Sequence, residues 1–328
     1  MKSTYRVAMV GCGEISTGHA NAWKNLPEID LVAACDIKFE ALASFANAFE
    51  VKHTYNDVRT MLEKQQPDIV VIATIPKAHR EIILEGIRNG VRAILCEAPI
   101  AMNTNDVELM IQVTEKSGVL LAEGLMYRHH PLTLAVKQQV LDGAIGDVQF
   151  IRSTFSTTLT DRTNWRFHSD LGGGAMRVLG CYCVDVIRHL VNAEPKAAWG
   201  CGTFEPVSNA WETMIGTLDF GGGVFAQFDC GFGWSNRESY EVVGTKGTIL
   251  APRAWSNGDG SCNFLLNGEA VNLIGANPYA TEMLDLCESL EAGKPPLVGL
   301  DNARRNMRVI DGVTEAARSG KQIEILEI

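Results

Sequence analysis

The sequence predicts an α/β protein: an N-terminal Rossmann-type doubly wound parallel sheet, followed by a C-terminal α/β domain with an open, mainly antiparallel sheet. Three observations predict it. Short apolar runs alternate with helix-period segments through the first 124 residues, the first apolar run ends in a glycine turn, and past residue 125 strand-like runs follow one another directly. A chain of 328 residues can bury two cores. The expected division is 1–124 and 125–328, with a C-terminal helix able to pack back on the first domain.

YRVAMVG (5–11) is the first strand, and GEISTGHANAWKNL (13–26) the helix it feeds. DLVAACD (30–36) is the second strand and ends in an acid; KFEALASFANAF (38–49) has apolar residues at helical spacing. PDIVVIAT (67–74) is almost wholly apolar, as a parallel strand covered on both faces must be. HREIILEGIRNG (79–90) and NDVELMIQVTEKSG (105–118) read as helices closed by glycine, each followed by a strand, RAILCE (92–97) and VLLAEG (119–124). LTLAVKQQVLDGAIG (132–146) is a helix and DVQFIRSTFSTTL (147–159) a longer alternating strand. The glycine-rich turn DLGGGAMR (170–177) leads into an apolar helix, VLGCYCVDVIRHLV (178–191). Four runs of strand character follow (212–220, 223–232, 239–245 and 246–252), and the chain returns to helix at 281–293 and 301–320.

A net charge of −10 argues against nucleic acid or an anionic membrane as partner. No apolar run approaches the ~18 residues of a membrane span, and the N-terminus carries no signal-peptide pattern, so a cytoplasmic location is expected. The nine cysteines are odd in number and several sit in apolar strands, which suits reduced, buried thiols. Cys181 and Cys183 have no second pair at zinc-site spacing, so no metal is expected.

The residues Gly11, Cys12, Gly13, Glu14 and Ile15 close the first strand and open the first helix. Gly11 permits the tight turn, and Gly13 lets a pyrophosphate approach the backbone beside uncapped helix N–H groups. Ser16 stands where a third glycine or alanine is usual. Asp36, roughly twenty residues further on at the end of the second strand, is placed to accept from the adenosine ribose hydroxyls. A carboxylate there favours NAD over NADP, with Lys38 partly offsetting the preference. A plain turn-capping role is the competing reading of Asp36.

With several downstream stretches, these residues resemble the glucose–fructose oxidoreductase / inositol dehydrogenase / rhizopine-catabolism (Gfo/Idh/MocA) family. The matching stretches are VGCG, TIPKAH (74–79), CEAP (96–99), MYRHHP (126–131), NWR (164–166), LGGGAMRVLGCYCVD (171–185) and the strands around GTKGTI (244–249). The resemblance spans essentially the whole chain and is strongest to the glucose–fructose oxidoreductase and dihydrodiol dehydrogenase branch, because Tyr182 stands where inositol dehydrogenase-like members carry histidine. It implies hydride transfer between a nicotinamide and a sugar or polyol carbon, and a homo-oligomer, dimer or tetramer, assembled on the open sheet. It adds Thr74, Pro76, His79, Glu97 and Pro99 to the cofactor residues, and Arg128, His129, Trp165, Arg166, Arg177 and Tyr182 to the substrate side.

Two departures stand out. The family's Glu-Lys-Pro is here Glu97-Ala98-Pro99, and its aspartate four residues before the histidine or tyrosine is Val178. An engineered alanine would account for Ala98 and leave Val178 unexplained. Tyr182 is then the remaining proton-transfer candidate. Its unperturbed pKa near 10 suits an acid in ketone reduction better than a base, unless an arginine lowers it. Three readings stay open: net oxidation or reduction of a sugar, polyol or keto compound; elimination, epimerisation or glycosidic cleavage through transient oxidation by tightly held NAD; and a non-catalytic, cofactor-sensing protein. No serine elbow or Cys–His signature points to hydrolysis.

Overall fold

The computed structural model describes residues 4–326. The chain forms two compact units, one of residues up to Met126 with Tyr279–Ala303, the other of Tyr127–Pro278 with the residues from Arg304 on.

The first unit is a six-stranded parallel sheet. Its strands are β1 (Tyr5–Val10), β2 (Ile29–Cys35), β3 (His53–Tyr55), β4 (Ile69–Ile72), β5 (Ala93–Glu97) and β6 (Leu120–Gly124), in the order β3-β2-β1-β4-β5-β6. The helices between them are α1 (Glu14–Trp23), α2 (Phe39–Phe49), α3 (Val58–Gln65), α4 (Pro76–Arg88) and α5 (Thr104–Ser117). β4 is buried at every residue, because helices cover both faces of a parallel sheet. The sequence pattern leaves β3 and α3 unassigned: three residues are too few to show a period, and Thr and Gln blur the apolar stripe of VRTMLEKQ. The strand order reverses between β1 and β4, so the carboxyl ends of these two strands mark the crevice where such sheets bind ligands.

In the second unit, α6 (Pro131–Leu141) precedes β7 (Val148–Thr157), and a π-helical turn at Met176–Gly180 runs into α7 (Cys181–Val191). Then come β8 (Ala197–Cys201), the two-residue β9 (Phe204–Glu205) and β10 (Ala210–Trp211), β11 (Thr213–Gly221), β12 (Val224–Phe232), β13 (Arg237–Gly244), β14 (Thr248–Ala251), β15 (Ser261–Leu266) and β16 (Glu269–Ile274). The last elements are α8 (Pro278–Ala292), α9 (Leu300–Ser319) and β17 (Ile323–Glu324). Nine strands form one sheet, β16-β15-β14-β13-β7-β12-β11-β8-β17, antiparallel throughout except where β12 pairs parallel to β7.

The division falls two residues past 124, and the returning segment comprises most of α8 and the first turn of α9. Its Met283, Leu286 and Cys287 join the core built on Tyr5, Val7, Met9, Ile69, Val71 and Leu95. That apolar burial gives α8 its place: each such side chain contributes about 1.5–3 kcal/mol when removed from water.

Candidate functional site

In the first unit, Gly11 takes φ +91° and runs beneath the turn after β4. Gly13 is the N-cap of α1, no side chain caps that helix, and nothing lies within 4 Å of the place a Cβ on Gly13 would occupy. The opening sits against the exposed Glu14 and half-buried Ile15, in front of unpaired helix N–H groups. Ser16 is fully buried and donates to the Gly13 carbonyl at 2.6 Å, so a small polar residue closes the turn from inside where glycine or alanine is usual. The Asp36 carboxylate is clamped by two backbone donors, Cys12 N–H and Lys38 N–H, both at 2.7 Å. Ile37 and Phe39 flank it as strongly exposed apolar side chains. This arrangement fits a dinucleotide: room and donors for the pyrophosphate, a fixed acceptor for the ribose and apolar surface for the base.

Thr74 and Pro76 form the β4–α4 turn, with Pro76 in the first turn of α4. His79 is buried, and its ring nitrogens lie 3.2 Å from the Ile100 carbonyl and 3.1 Å from that of Thr74. Burial pushes its pKa down, so the neutral ring donates to one carbonyl at a time. His79 therefore ties the β4–α4 turn to the segment after β5 from within. Glu97 ends β5 with its side chain 14% exposed, and Pro99 follows a cis peptide bond after Ala98. His19, on the buried face of α1, approaches Glu97 Oε1 to 2.5 Å through Nε2. Nothing in the glycine motif singles out His19; the available signal is a polar side chain in the Ser16–Ala20–Trp23 stripe of α1.

In the second unit, Tyr182 lies on the first turn of α7, half-buried among aromatic rings. Phe155 meets it edge-on at 5.5 Å, and the centroids of Tyr127 and Trp255 lie 5.9 Å away. Asp185, one turn on, is buried and accepts from the Tyr127 hydroxyl and, at 3.1 Å on each oxygen, from Arg128 Nη1. Arg128, expected on the substrate side, is here held in a buried ion pair with Asp185. Asp185, Tyr127, Phe155 and Trp255 escape motif reading because their importance comes from contacts; an acid inside the apolar run CYCVDVIRHLV is the one local hint.

His129 is buried next to Arg128, and burial followed by that positive charge pushes its pKa down to about 4. It offers a neutral imidazole at physiological pH. Trp165 and Arg166 stack, with the guanidinium 5.0 Å from the indole centroid. Gly173 and Gly174 pin their loop: Gly174 N–H donates to the Arg166 carbonyl at 2.8 Å. Arg177 donates to the Gly173 carbonyl at 3.4 Å; burial pushes its pKa down, and Asp311 and Arg318 of α9 are its charged neighbours. The NWR loop, glycine turn and Tyr182 helix thus form one connected segment. No group of three or more His, Cys, Asp or Glu among the described residues could hold a metal.

The fold and these features define a two-unit, dinucleotide-binding oxidoreductase. Residues 5–125 match the oxidoreductase family with NAD-binding Rossmann fold, and residues 133–250 match the GFO/IDH/MocA C-terminal domain. The chain belongs to the GFO/IDH/MocA family of NAD(P)-dependent oxidoreductases. It is similar to the trans-1,2-dihydrobenzene-1,2-diol dehydrogenase of Xenopus laevis, at 29% identity over 83% of this chain and 81% of that one. The D-apiose dehydrogenase of Paraburkholderia graminis is 28% identical over 75% of this chain and 67% of its own. Among solved structures, the aldose–aldose oxidoreductase of Caulobacter crescentus, complexed with glycerol, superposes with a TM-score of 0.89 at 24% identity, covering 98% and 99% of the two chains. Named relatives are dehydrogenases and reductases, and the chain is an oxidoreductase of CH–OH groups.

Proposed function

We propose that this protein is an NAD-dependent oxidoreductase of a sugar, polyol or related keto compound, with Tyr182 giving or taking the hydroxyl proton. The observation that carries the reading is the uncapped, open N-terminus of α1 beside a doubly clamped Asp36. When bound, the nicotinamide supplies the hydride acceptor or donor. Asp36 accepts from the ribose hydroxyls and would repel a 2′-phosphate, which favours NAD. Tyr182 handles the proton, while Trp165, Arg166, Arg177 and the neutral His129 supply an apolar wall and hydrogen-bonding groups for the substrate.

Phe155, Trp255 and Tyr127 around Tyr182 favour a ring substrate with one apolar face, so cyclic diols belong beside sugars in the assay. Nicotinamide absorbance followed across aldoses, polyols, keto sugars and cyclic diols tests the reading. Turnover of one class is expected, with Tyr182→Phe lowering kcat by about 10²-fold or more while cofactor affinity is kept. Cofactor binding without turnover, persisting in an Ala98→Lys, Val178→Asp variant, favours a sensor. Product formed at constant absorbance favours transient oxidation.

The outer face of the nine-stranded sheet exposes Trp199, Ile215 and Phe225 on the neighbouring strands β8, β11 and β12. A second copy of the chain covers this face, giving a dimer or a tetramer. Ile215→Asp should shift the sedimentation coefficient toward the monomer; an unchanged value excludes this face. The nine thiols are free, and Cys12 and Cys35 are pushed up to about 12 by burial, which suits the reducing cytoplasm.

A further inference from the structure

Behind Glu97 lies a group of buried titratable side chains that the proposed reaction does not use. His19 is fully buried; its Nε2 is held by Glu97, while Nδ1 has no hydrogen-bond partner. The ring of Tyr279 stands edge-on to His19 at 4.6 Å, and Trp23, whose indole N–H donates to the Tyr279 carbonyl, packs at 5.2 Å. From α8, Glu282 brings a carboxyl group that is 2% exposed and whose two oxygens have no partner. A buried, unpartnered carboxyl is costly in its charged form. Burial, then the neighbouring Glu97 and Asp285, push its pKa well above the usual carboxylate range.

Acidic groups and neutral hydrogen-bonding side chains from several elements face this cluster. α1 contributes Glu14 and His19, α4 His79, β5 Cys96 and Glu97, β6 Glu123, and α8 Tyr279, Glu282 and Asp285. None of these is a lysine or arginine, and the residue after Glu97 is Ala98. The cluster also has a defined place in the sheet. Asp36 follows β2, one strand to one side of the β1–β4 reversal; Glu97 ends β5, one strand to the other side. Glu97 therefore stands where it would meet the nicotinamide half of a dinucleotide whose adenosine ribose Asp36 held.

We propose that His19, Glu97 and Glu282 form a buried proton-holding cluster that is discharged by the positive charge of an oxidised nicotinamide. The chain then binds oxidised cofactor with release of a proton to solvent, and reduced cofactor without it. Glu282 is the group that holds the proton, and Glu97 is the member that reaches the edge of the sheet. His19 is a positioning residue acting through Glu97. This inference rests on the dinucleotide reading above.

Calorimetry of the full chain tests it, with NAD⁺, NADH, NADP⁺ and NADPH titrated in buffers of different ionisation enthalpy between about pH 6 and pH 8. Release of about half a proton is expected for the oxidised form that binds, so its affinity rises about threefold per pH unit, with none for its reduced partner. Glu282→Gln, which keeps the shape and removes the titrating group, should bind the oxidised form with that release at least halved. Equal proton counts for the two redox forms overturn the inference and leave the cofactor reading standing. Full release retained in Glu282→Gln overturns the assignment of the cluster. Failure of all four dinucleotides to bind overturns both.

Discussion

A methyl group on Gly11 would stand 2.5 Å from the Ala73 carbonyl oxygen, with the backbone already at φ +91°. Gly11→Ala should therefore cost about 1–3 kcal/mol in stability from the backbone conformation alone, and more than tenfold in dinucleotide affinity as the turn moves. Thermal unfolding and a binding titration check the two effects separately. At Asp185, exchange for asparagine strips the negative charge from a carboxylate that serves Tyr127 and Arg128 inside the second unit. Leaving Arg128 buried and unpaired should cost about 3–5 kcal/mol, read as a lower urea midpoint. The glycine requirement is visible in the sequence because strand–turn–helix context demands it. The Arg128 pairing is not: an arginine in MYRHHP looks the same whether it faces a ligand or an aspartate 57 residues away.

Between residue and domain, the approach of two loops makes the substrate side one piece. A Cβ on Gly173 would lie 2.5 Å from the carbonyl oxygens of both Trp165 and Arg166. Gly173→Ala should push the NWR loop off the glycine turn, raising KM several-fold with a smaller effect on kcat if Trp165 and Arg166 hold substrate. Steady-state kinetics on the substrate found in the panel decide this; an unchanged KM removes that loop from the site. The π-helical turn at Met176–Gly180 immediately precedes α7 and shifts the angular positions of Arg177 and Val178 relative to a continuous α-helix. Helical periodicity marked an apolar helix from 178 onward, and an apolar stripe cannot report one wider turn. Likewise, alternation identified β7 and β12 as strands, but which neighbour each takes, and that this pair runs parallel, depends on long-range register.

Across the whole molecule, buried titratable groups set the response to pH. Burial depresses His129 to about 4 and, with Arg128, His189 to about 3, against about 6.5 in an unfolded chain. Below about 6.5 the unfolded chain takes up protons that the native protein refuses, so stability falls with pH, at about 1.4 kcal/mol per unit for each histidine. Denaturation midpoints should drop between about pH 6.5 and pH 4, and His129→Asn should flatten that slope. Glu282 works in the opposite sense: its raised native pKa makes stability fall as pH rises above the unfolded carboxyl value. Glu282→Gln should therefore stabilise more at pH 8 than at pH 5.

Local order along the chain was enough to determine the Rossmann unit, its glycine turn and the strand-rich second half. Those features follow from backbone geometry and periodicity, which act over a few residues. Tertiary structure alone decided that α8 returns to the first unit, that Arg128 and His79 turn inward, and that His19 and Glu282 gather behind Glu97. Each of these depends on burial and on partners distant in sequence, and the energy of a buried charge is set by what surrounds it.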